Sequence, residues 1–366
     1  MRPLLFVTGH APAYRVGAFA CLHEHEHIEV ALFGGRSRHG GADFEGELPF
    51  PHRYVRQREL AALAASRRYR AVVCPTGGRV APLAVWAGAR RARVPLILWA
   101  SLWAHPRSAA HAFSYLPLRH LYRSADAVVT YGPHVSAYVR ARGARNVHIA
   151  PQSVDNDFWS APALAPPSER SWPAEAQTRF LFVGRPAAEK GLGVLTHAWR
   201  ASGLRPPAAA LVLAGVGSGF GSRPGQHAAE PADGVVGLDP VAPVELRNLY
   251  GASDALVLPS IPTPTFREPW GLVVNEAMNR GLPVIASDAV GAAAGGLVRD
   301  GRNGLVVGAG DSAALAGALR RLADDAELRA RLGAAGAEDV RAFTFEAWAR
   351  GFSEALATVG LSRGRW

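Results

Sequence analysis

Short apolar runs alternate with helix-patterned segments along nearly the whole chain, and that alternation leaves few folds open. In the first half, strands are expected near 4–8, 28–33, 71–74, 95–99, 126–130 and 147–150. In the second half they are expected near 179–183, 209–214, 234–237, 255–258, 283–286 and 304–307. Strands separated by helices pair in parallel, so the fold class is α/β. The pattern lapses once, from Ala161 to Pro173, where proline is dense and no period holds; this marks a linker. At 366 residues the chain exceeds one ordinary core. The expectation is two doubly wound, Rossmann-like parallel-sheet domains: residues 1–160, a linker over 161–177, residues 178–342, and a closing helical segment over 343–366. Such sheets bind ligands at the C-terminal ends of their strands, which places the site in a cleft between the domains.

Composition narrows the functional classes. Glycine and proline are frequent but without short period, which excludes collagen-like and solenoid designs. Cys21 and Cys74 sit in apolar surroundings and read as buried free thiols. The N-terminal apolar run is too short for a signal peptide, and the longest apolar stretch, Val94 to Ala104, falls short of the ~20 residues that span a bilayer. A cytoplasmic protein, peripheral on the inner face of the membrane at most, is expected. The formal net charge of +10 favours anionic partners: nucleoside diphosphates, lipid phosphates, an anionic membrane or nucleic acid. The pairs Arg67-Arg68, Arg90-Arg91 and Arg320-Arg321 read as solvated helix faces.

The most specific segment is Arg267-Glu268-Pro269-Trp270-Gly271-Leu272-Val273-Val274-Asn275-Glu276. A Pro-aromatic-Gly turn separates two carboxylates and sets up a helix beginning near Gly271. The first N–H groups of such a helix, at Gly271, Leu272 and Val273, lack intrahelical acceptors and carry the positive end of its dipole, so an anion can dock there. Glu268 lies in the loop beside that seat, and Glu276 is expected more than one turn into the helix. A phosphate seat flanked by two acids suits a nucleotide-sugar. The strand Gly281-Leu282-Pro283-Val284 and the turn Asp300-Gly301-Arg302-Asn303-Gly304 follow.

With that succession on view, the chain resembles the retaining glycosyltransferases of family four (glycosyl transferases group 1), most strongly over 179–310. The resemblance implies the GT-B fold, with the final helix packed back on the first domain. It also implies a retaining transferase of the hexosyltransferase class, with a nucleoside-diphosphate sugar as co-substrate and neither metal nor cofactor. Gly184-Arg185 and Lys190-Gly191 match the family's diphosphate grip, where fixed cations stabilise charge developing on the leaving group. Gly215 and Gly217 match a loop near the nucleotide; Gly237 and Leu238 match a stretch whose backbone meets the base. Leu249-Tyr250 and its helix match scaffold. Glu276 corresponds to the acid that binds the ribose hydroxyls, and Glu268 to the acid that contacts the transferred sugar. Trp270 replaces a more usual Phe, the loop Ile261 to Phe266 is unusually rich in proline, and Ala292-Ala293-Ala294 replace more polar residues.

The acceptor side is less patterned. Tyr14 and Arg15 follow the first strand and suit an anionic acceptor, or else a helix start with a packing tyrosine. His105, after strand 95–99, matches a family position that faces the sugar, where a hydrogen bond would orient the donor. His10, His111, His120 and His134 receive no role, and Pro151 to Asp155 marks the end of the first domain. Residues 111–123 mix aromatic, apolar and basic side chains, which describes either an ordinary core-facing helix or a surface lying on an anionic membrane, with a lipid-linked acceptor. Glycan or polysaccharide biosynthesis is the expected setting. Two alternatives are weaker. A Rossmann-type oxidoreductase needs a Gly-x-Gly-x-x-Gly after the first strand, which Gly9-His10-Ala11-Pro12 does not supply. A nucleic-acid-binding protein needs a clustered basic stripe or a recognised module, and neither is evident, so no nucleic-acid partner is expected.

Overall fold

The computed structural model describes residues 2–34, 46–78, 80–165, 173, 175–217 and 234–361. They form two compact units, Met1–Asp155 with Phe343–Trp366, and Asn156–Ala342.

The first unit is built on seven parallel strands: β1 (Leu4–Thr8), β2 (Ile28–Leu32), β3 (His52–Tyr54), β4 (Val72–Pro75), β5 (Leu96–Ala100), β6 (Ala127–Thr130) and β7 (Val147–Ile149), in the order β3-β2-β1-β4-β5-β6-β7. Every residue of β1 is buried because both faces of the sheet are covered. One face carries Leu4, Phe6, Val30, Ile97, Trp99 and Val129, and the other Leu5, Val7, Val72, Cys74, Leu98 and Val128. The second unit has six parallel strands: β8 (Thr178–Val183), β9 (Ala209–Ala214), β10 (Val235–Leu238), β11 (Ala255–Leu258), β12 (Val284–Ser287) and β13 (Gly304–Val307), in the order β10-β9-β8-β11-β12-β13. Each sheet runs outward in both directions from a central pair, β1/β4 in the first unit and β8/β11 in the second. At such a reversal the loops diverge and leave a crevice at the strand ends.

The twelve expected strands are present, each within a residue at either end. The strand missed in the sequence is β3. Its residues His52, Arg53 and Tyr54 are half-buried or exposed, and the sheet edge holds them through Val30 N–H to Pro51 carbonyl and Val55 N–H to Leu32 carbonyl, with an ion pair from Arg53 to Glu29 of β2. No apolar pattern is needed there, so none was legible.

The division between units falls at Asp155/Asn156, not at the Pro-rich stretch. Residues 156–160, expected in the first domain, form the helix Asn156–Ser160 of the second. Trp159 packs edge-on against Tyr250 with ring centroids 5.7 Å apart. Asn279 donates to the Asn156 side chain at 2.8 Å, and Arg280 reaches the carbonyls of Ser160 and Ala161. Of the expected linker, residues 166–172 and 174 lie outside the described residues.

The helix Phe345–Thr358 belongs to the first unit. Thr344 caps it by accepting from Ala347 N–H at 3.1 Å, and Trp348 and Phe352 enter a cluster with Phe6, Phe19 and Trp99. The rings of Trp348 and Phe352 lie 4.6 Å apart, and that of Phe6 lies 5.0 Å from Phe19. Each such buried side chain stabilises the unit by roughly 1.5–3 kcal/mol. Arg70 adds a buried ion pair to Glu26 at 2.6 Å and a hydrogen bond to the Leu361 carbonyl. Among the described residues, no helix is long and apolar enough to cross a membrane.

Candidate active site

The second unit gathers its polar side chains where β8 and β11 end. β8 runs into Gly184 and Arg185, and a short turn, Ala188–Lys190, follows. Gly191 then takes φ +69°, and a Cβ at that position would stand 2.1 Å from the Pro259 carbonyl oxygen. Only glycine lets this turn press on the end of β11. Glu189 carbonyl accepts from Ile261 N–H at 2.9 Å, which fixes the same contact.

The turn brings Lys190 to Glu268. Nζ lies 2.6 Å from Oε2, with 16% and 10% of the two side chains exposed. Ser260 Oγ donates to the same carboxylate oxygen at 3.4 Å, and Ser287 Oγ donates to the Ser260 carbonyl. The Glu268 carbonyl accepts from Gly291 N–H, so the backbone carrying the acid is tied to the next loop. Lys190 is the only lysine in the sequence; every other cationic residue counted there is arginine. A compact ammonium suits this narrow place better than a planar guanidinium, and the solitary lysine is a sequence signal that marks it.

Arg185 is a different kind of cation. Its side chain is 45% exposed and pairs with Glu189, four residues along the loop, at 2.6 Å. Gly184 N–H donates to Ala214 carbonyl, and the N–H groups of Gly215 and Gly217 both donate to Leu238 carbonyl at 3.0 and 2.9 Å. Gly184, Gly215, Gly217, Gly237 and Leu238 therefore form one knot at the ends of β8, β9 and β10. The neighbouring Ser218 and Gly219 lie outside the described residues.

Gly271 has φ +93°, and a Cβ there would meet Leu258 at 2.7 Å. The helix after it is shorter and later than expected, Val273–Asn279, and its turn opens with Val274 N–H to Gly271 carbonyl. The N–H groups of Leu272 and Val273 precede that bond. Trp270 Nε1 donates to Asn275 Oδ1 at 2.8 Å, so the ring that replaces phenylalanine braces the turn. Glu276 falls in the first helical turn, not beyond it as expected, because the helix starts two residues after Gly271. Its carboxylate accepts from the Tyr250 hydroxyl at 2.8 Å. Burial pushes its pKa from 4.5 up to about 7, against the opposing hydrogen bond from Tyr250. Tyr250, which the sequence assigns to scaffold, thus holds the second acid, and Ser260 holds the first. Neither role is legible in the sequence: Tyr250 reaches its acid from another helix, and Ser260 lies eight residues before Glu268, where the fold of the intervening loop decides the contact.

The candidates in the first unit are more enclosed. Arg15 is buried; Nη2 donates to Gln152 Oε1 at 2.5 Å, and the guanidinium lies over the rings of Tyr14, Trp99 and Trp348 at 5.3, 5.5 and 5.5 Å. Tyr14 itself is exposed. His105 Nε2 meets the His111 carbonyl at 2.8 Å and must donate there, which leaves Nδ1 to accept from the Tyr138 hydroxyl at 3.5 Å. Both ring nitrogens are engaged, so contact with a sugar hydroxyl requires one of them to be released. The Asp300 to Gly304 turn is structural: Asn303 is buried, donates to Leu297 carbonyl and Asp339, and accepts from Arg299 N–H. Cys21 and Cys74 are free and buried, and burial pushes both thiols up, Cys21 to about 11.

Comparison with known proteins places this geometry in a family. Residues 177–325 match the model of the glycosyl transferases group 1. Among curated relatives, D-inositol 3-phosphate glycosyltransferase of Corynebacterium glutamicum (strain R) is 38% identical over 178 residues, 46% of this chain and 40% of that protein. The protein of the same name from Stackebrandtia nassauensis is 34% identical over 228 residues, 58% and 48% of the two chains. The chain therefore spans less than half the length of either relative. Among solved structures, sucrose-phosphate synthase from Thermosynechococcus elongatus superposes with TM-score 0.71 at 20% identity, over 98% of this chain and 99% of that one. Anabaena HepE in complex with UDP superposes with TM-score 0.72 at 18% identity, over 97% and 100%. The oxidoreductase and nucleic-acid-binding alternatives find no support in these likenesses. Residues 177–325 belong to the glycosyl transferases group 1 family, and the chain carries the GT-B fold of two parallel-sheet α/β units.

Proposed function

We propose that the protein is a retaining glycosyltransferase that moves a hexose from a nucleoside-diphosphate sugar to a hydroxyl acceptor, without metal or cofactor, in glycan or polysaccharide biosynthesis. The observation that carries the reading is the enclosed Lys190–Glu268 pair at the β8/β11 reversal, within the segment that matches the family. A lone ammonium held beside a carboxylate is suited to a donor whose diphosphate needs a cation and whose sugar hydroxyls need an acceptor. Arg185 can exchange Glu189 for a phosphate oxygen. Glu276 takes the ribose hydroxyls, with Gly184, Gly215, Gly217, Gly237, Leu238, Gly271, Leu272 and Val273 shaping the nucleotide's surroundings. His105 orients the sugar, and Tyr14 and Arg15 face the acceptor.

In the proposed step the bond from the anomeric carbon to the phosphate oxygen breaks, and the nucleoside diphosphate leaves with the electron pair. The acceptor oxygen bonds to the same face of that carbon while its proton passes to the departing phosphate. Lys190 and Arg185 hold the charge that appears on the leaving group. The protein works in the cytoplasm, with peripheral contact to an anionic membrane through the first unit.

UDP-glucose is the first donor to test, because HepE has been crystallised with it. UDP-, GDP-, ADP- and TDP-sugars are supplied with and without simple hydroxyl acceptors, nucleotide release is followed, and the product anomer is read by NMR. Because Lys190 is the only lysine, an amine-directed reagent followed by mass spectrometry gives a second readout. The matching nucleoside diphosphate should protect Lys190 from modification. If no nucleoside diphosphate binds or protects, the donor site is wrongly assigned.

A further inference from the structure

Charge is segregated along this chain. Between Glu59 and Asp126 the sequence has no acidic residue, yet it carries ten arginines, at 67, 68, 70, 79, 90, 91, 93, 107, 119 and 123. Their number equals the whole formal net charge of +10. Within this stretch lie two neighbouring helices of the first unit, Ala81–Ala92 and Ala109–Ser124. Trp86 meets His120 edge-on at 5.0 Å, and Arg90 donates to the Ser124 carbonyl. The same offset of thirty-four residues at both contacts means that the helices run side by side in the same direction. It sets Leu83 level with Leu116 and Pro117, and Val80 level with Phe113 and Ser114.

That pairing gathers exposed apolar side chains. Phe113 is 85% exposed and Leu116 67%, and Val80 and Leu83 are exposed beside them. These are four of the nine large apolar side chains exposed among the described residues. On the second helix Phe113, Leu116, His120 and Arg123 recur three and four residues apart, so they share one stripe. The stripe passes from apolar at the start of the helix to basic at its end, where Arg90, Arg91 and Arg123 are exposed and Arg119 is half-buried. Leu121 and Tyr122 face the core, so the helix is also an ordinary packed element.

We infer that the face formed by Val80, Leu83, Phe113, Leu116, Arg119 and Arg123 docks the first unit on an anionic lipid bilayer. This deepens the peripheral contact proposed above and rests on that reading; its partner is the membrane surface itself. Exposed Phe and Leu enter the boundary between headgroups and acyl chains, while arginines about 5–15 Å further along the helix pair with lipid phosphates. The absence of any carboxylate on either helix removes the repulsion that would oppose such a surface. A nucleic acid or an acidic protein would use the arginines but gains nothing from Phe113 and Leu116 standing in water, so the apolar half of the face selects lipid.

The test is flotation of the full chain with phosphatidylcholine vesicles, with and without phosphatidylglycerol. Binding is expected only with the anionic lipid and should weaken as salt rises. Phe113→Ser with Leu116→Ser should lower partitioning roughly tenfold or more, as removal of buried apolar area does. Arg119→Glu with Arg123→Glu should do the same, and Arg91→Glu with Arg123→Glu, both at exposed positions, provides a second charge variant should the first fold poorly. Circular dichroism and nucleotide calorimetry should match the parent in all three, since the substitutions lie outside the donor unit. A parent that stays unbound to anionic vesicles, or binds equally well without Phe113 and Leu116, or prefers DNA or a polyacid to vesicles, overturns the inference. Vesicle binding lost with nucleotide binding intact retires this surface alone; nucleotide binding absent with vesicle binding intact retires the donor assignment instead.

Discussion

Lys190 and Arg185 carry the same charge in different surroundings, and removing each should cost different things. Lys190 is mostly enclosed, so Lys190→Ala leaves Glu268 without its cation inside the protein. That should destabilise the second unit by about 3 kcal/mol as well as slow turnover more than tenfold. Lys190→Met with Glu268→Gln should recover stability but not activity, as thermal melts beside initial rates would show. Arg185→Ala removes an exposed pair and should leave the melting curve nearly unchanged while slowing turnover more than tenfold. Equal stability losses in the two alanine variants would contradict the contrast in burial. Glu276 makes a separate prediction. A carboxyl raised from 4.5 to about 7 in the folded state favours folding in its protonated form, and that advantage is lost as pH rises through about 7. Glu276→Gln should therefore stabilise the protein by on the order of 2 kcal/mol at pH 8 and by nothing below pH 4. It should weaken binding of the free nucleoside diphosphate, whereas Glu268→Gln should spare that binding and damage turnover of the whole donor. Calorimetry with nucleotide alone separates the two acids.

At the level of elements, the site depends on two glycines more than on any helix. Gly191 allows the turn carrying Lys190 to rest on the end of β11, and Gly271 allows the turn carrying Glu268 to pack beneath Leu258. Gly191→Ala forces a strained φ and drives Cβ into the Pro259 carbonyl, so it should cost roughly 2 kcal/mol or more. The larger effect should be on rate, because Lys190 would be displaced from Glu268. A crystal structure of the variant with the ion pair unchanged at 2.6 Å would count against the turn as its positioning device. Gly203, with similar φ but nothing near its absent Cβ, is the control: Gly203→Ala should show only the cost of the backbone.

For the whole molecule, the chain crosses between its units twice, at Asp155/Asn156 and at Ala342/Phe343. The second crossing returns Trp348, Phe352 and Leu356 to the aromatic core of the first unit. A chain ending at Ala342 should lose cooperative folding of the first unit while the second still melts as a unit and binds nucleotide. Nucleoside diphosphate at one hundred times its dissociation constant should then raise the stability of the second unit by ~2.7 kcal/mol. Loss of both transitions on truncation would show that the units do not fold separately.

The sequence by itself determined the two parallel sheets, because a strand buried on both faces must be apolar along its length, and that requirement is written locally in β1, β9 and β11. It also marked Glu268, Gly271, Glu276, Arg185 and Lys190, because sharp turns and their flanking charges are fixed by neighbours in the chain. Tertiary structure alone decided what those side chains touch. Lys190 and Glu268 are separated by seventy-eight positions and meet only because β8 and β11 are adjacent in the sheet. Tyr250 reaches Glu276 from another helix, and Gln152 reaches Arg15 from the far end of the first unit. The edge strand β3 and the true division at Asp155 escaped for the same reason. Both are set by what the segment packs against, and packing between distant segments leaves no periodic trace in either one.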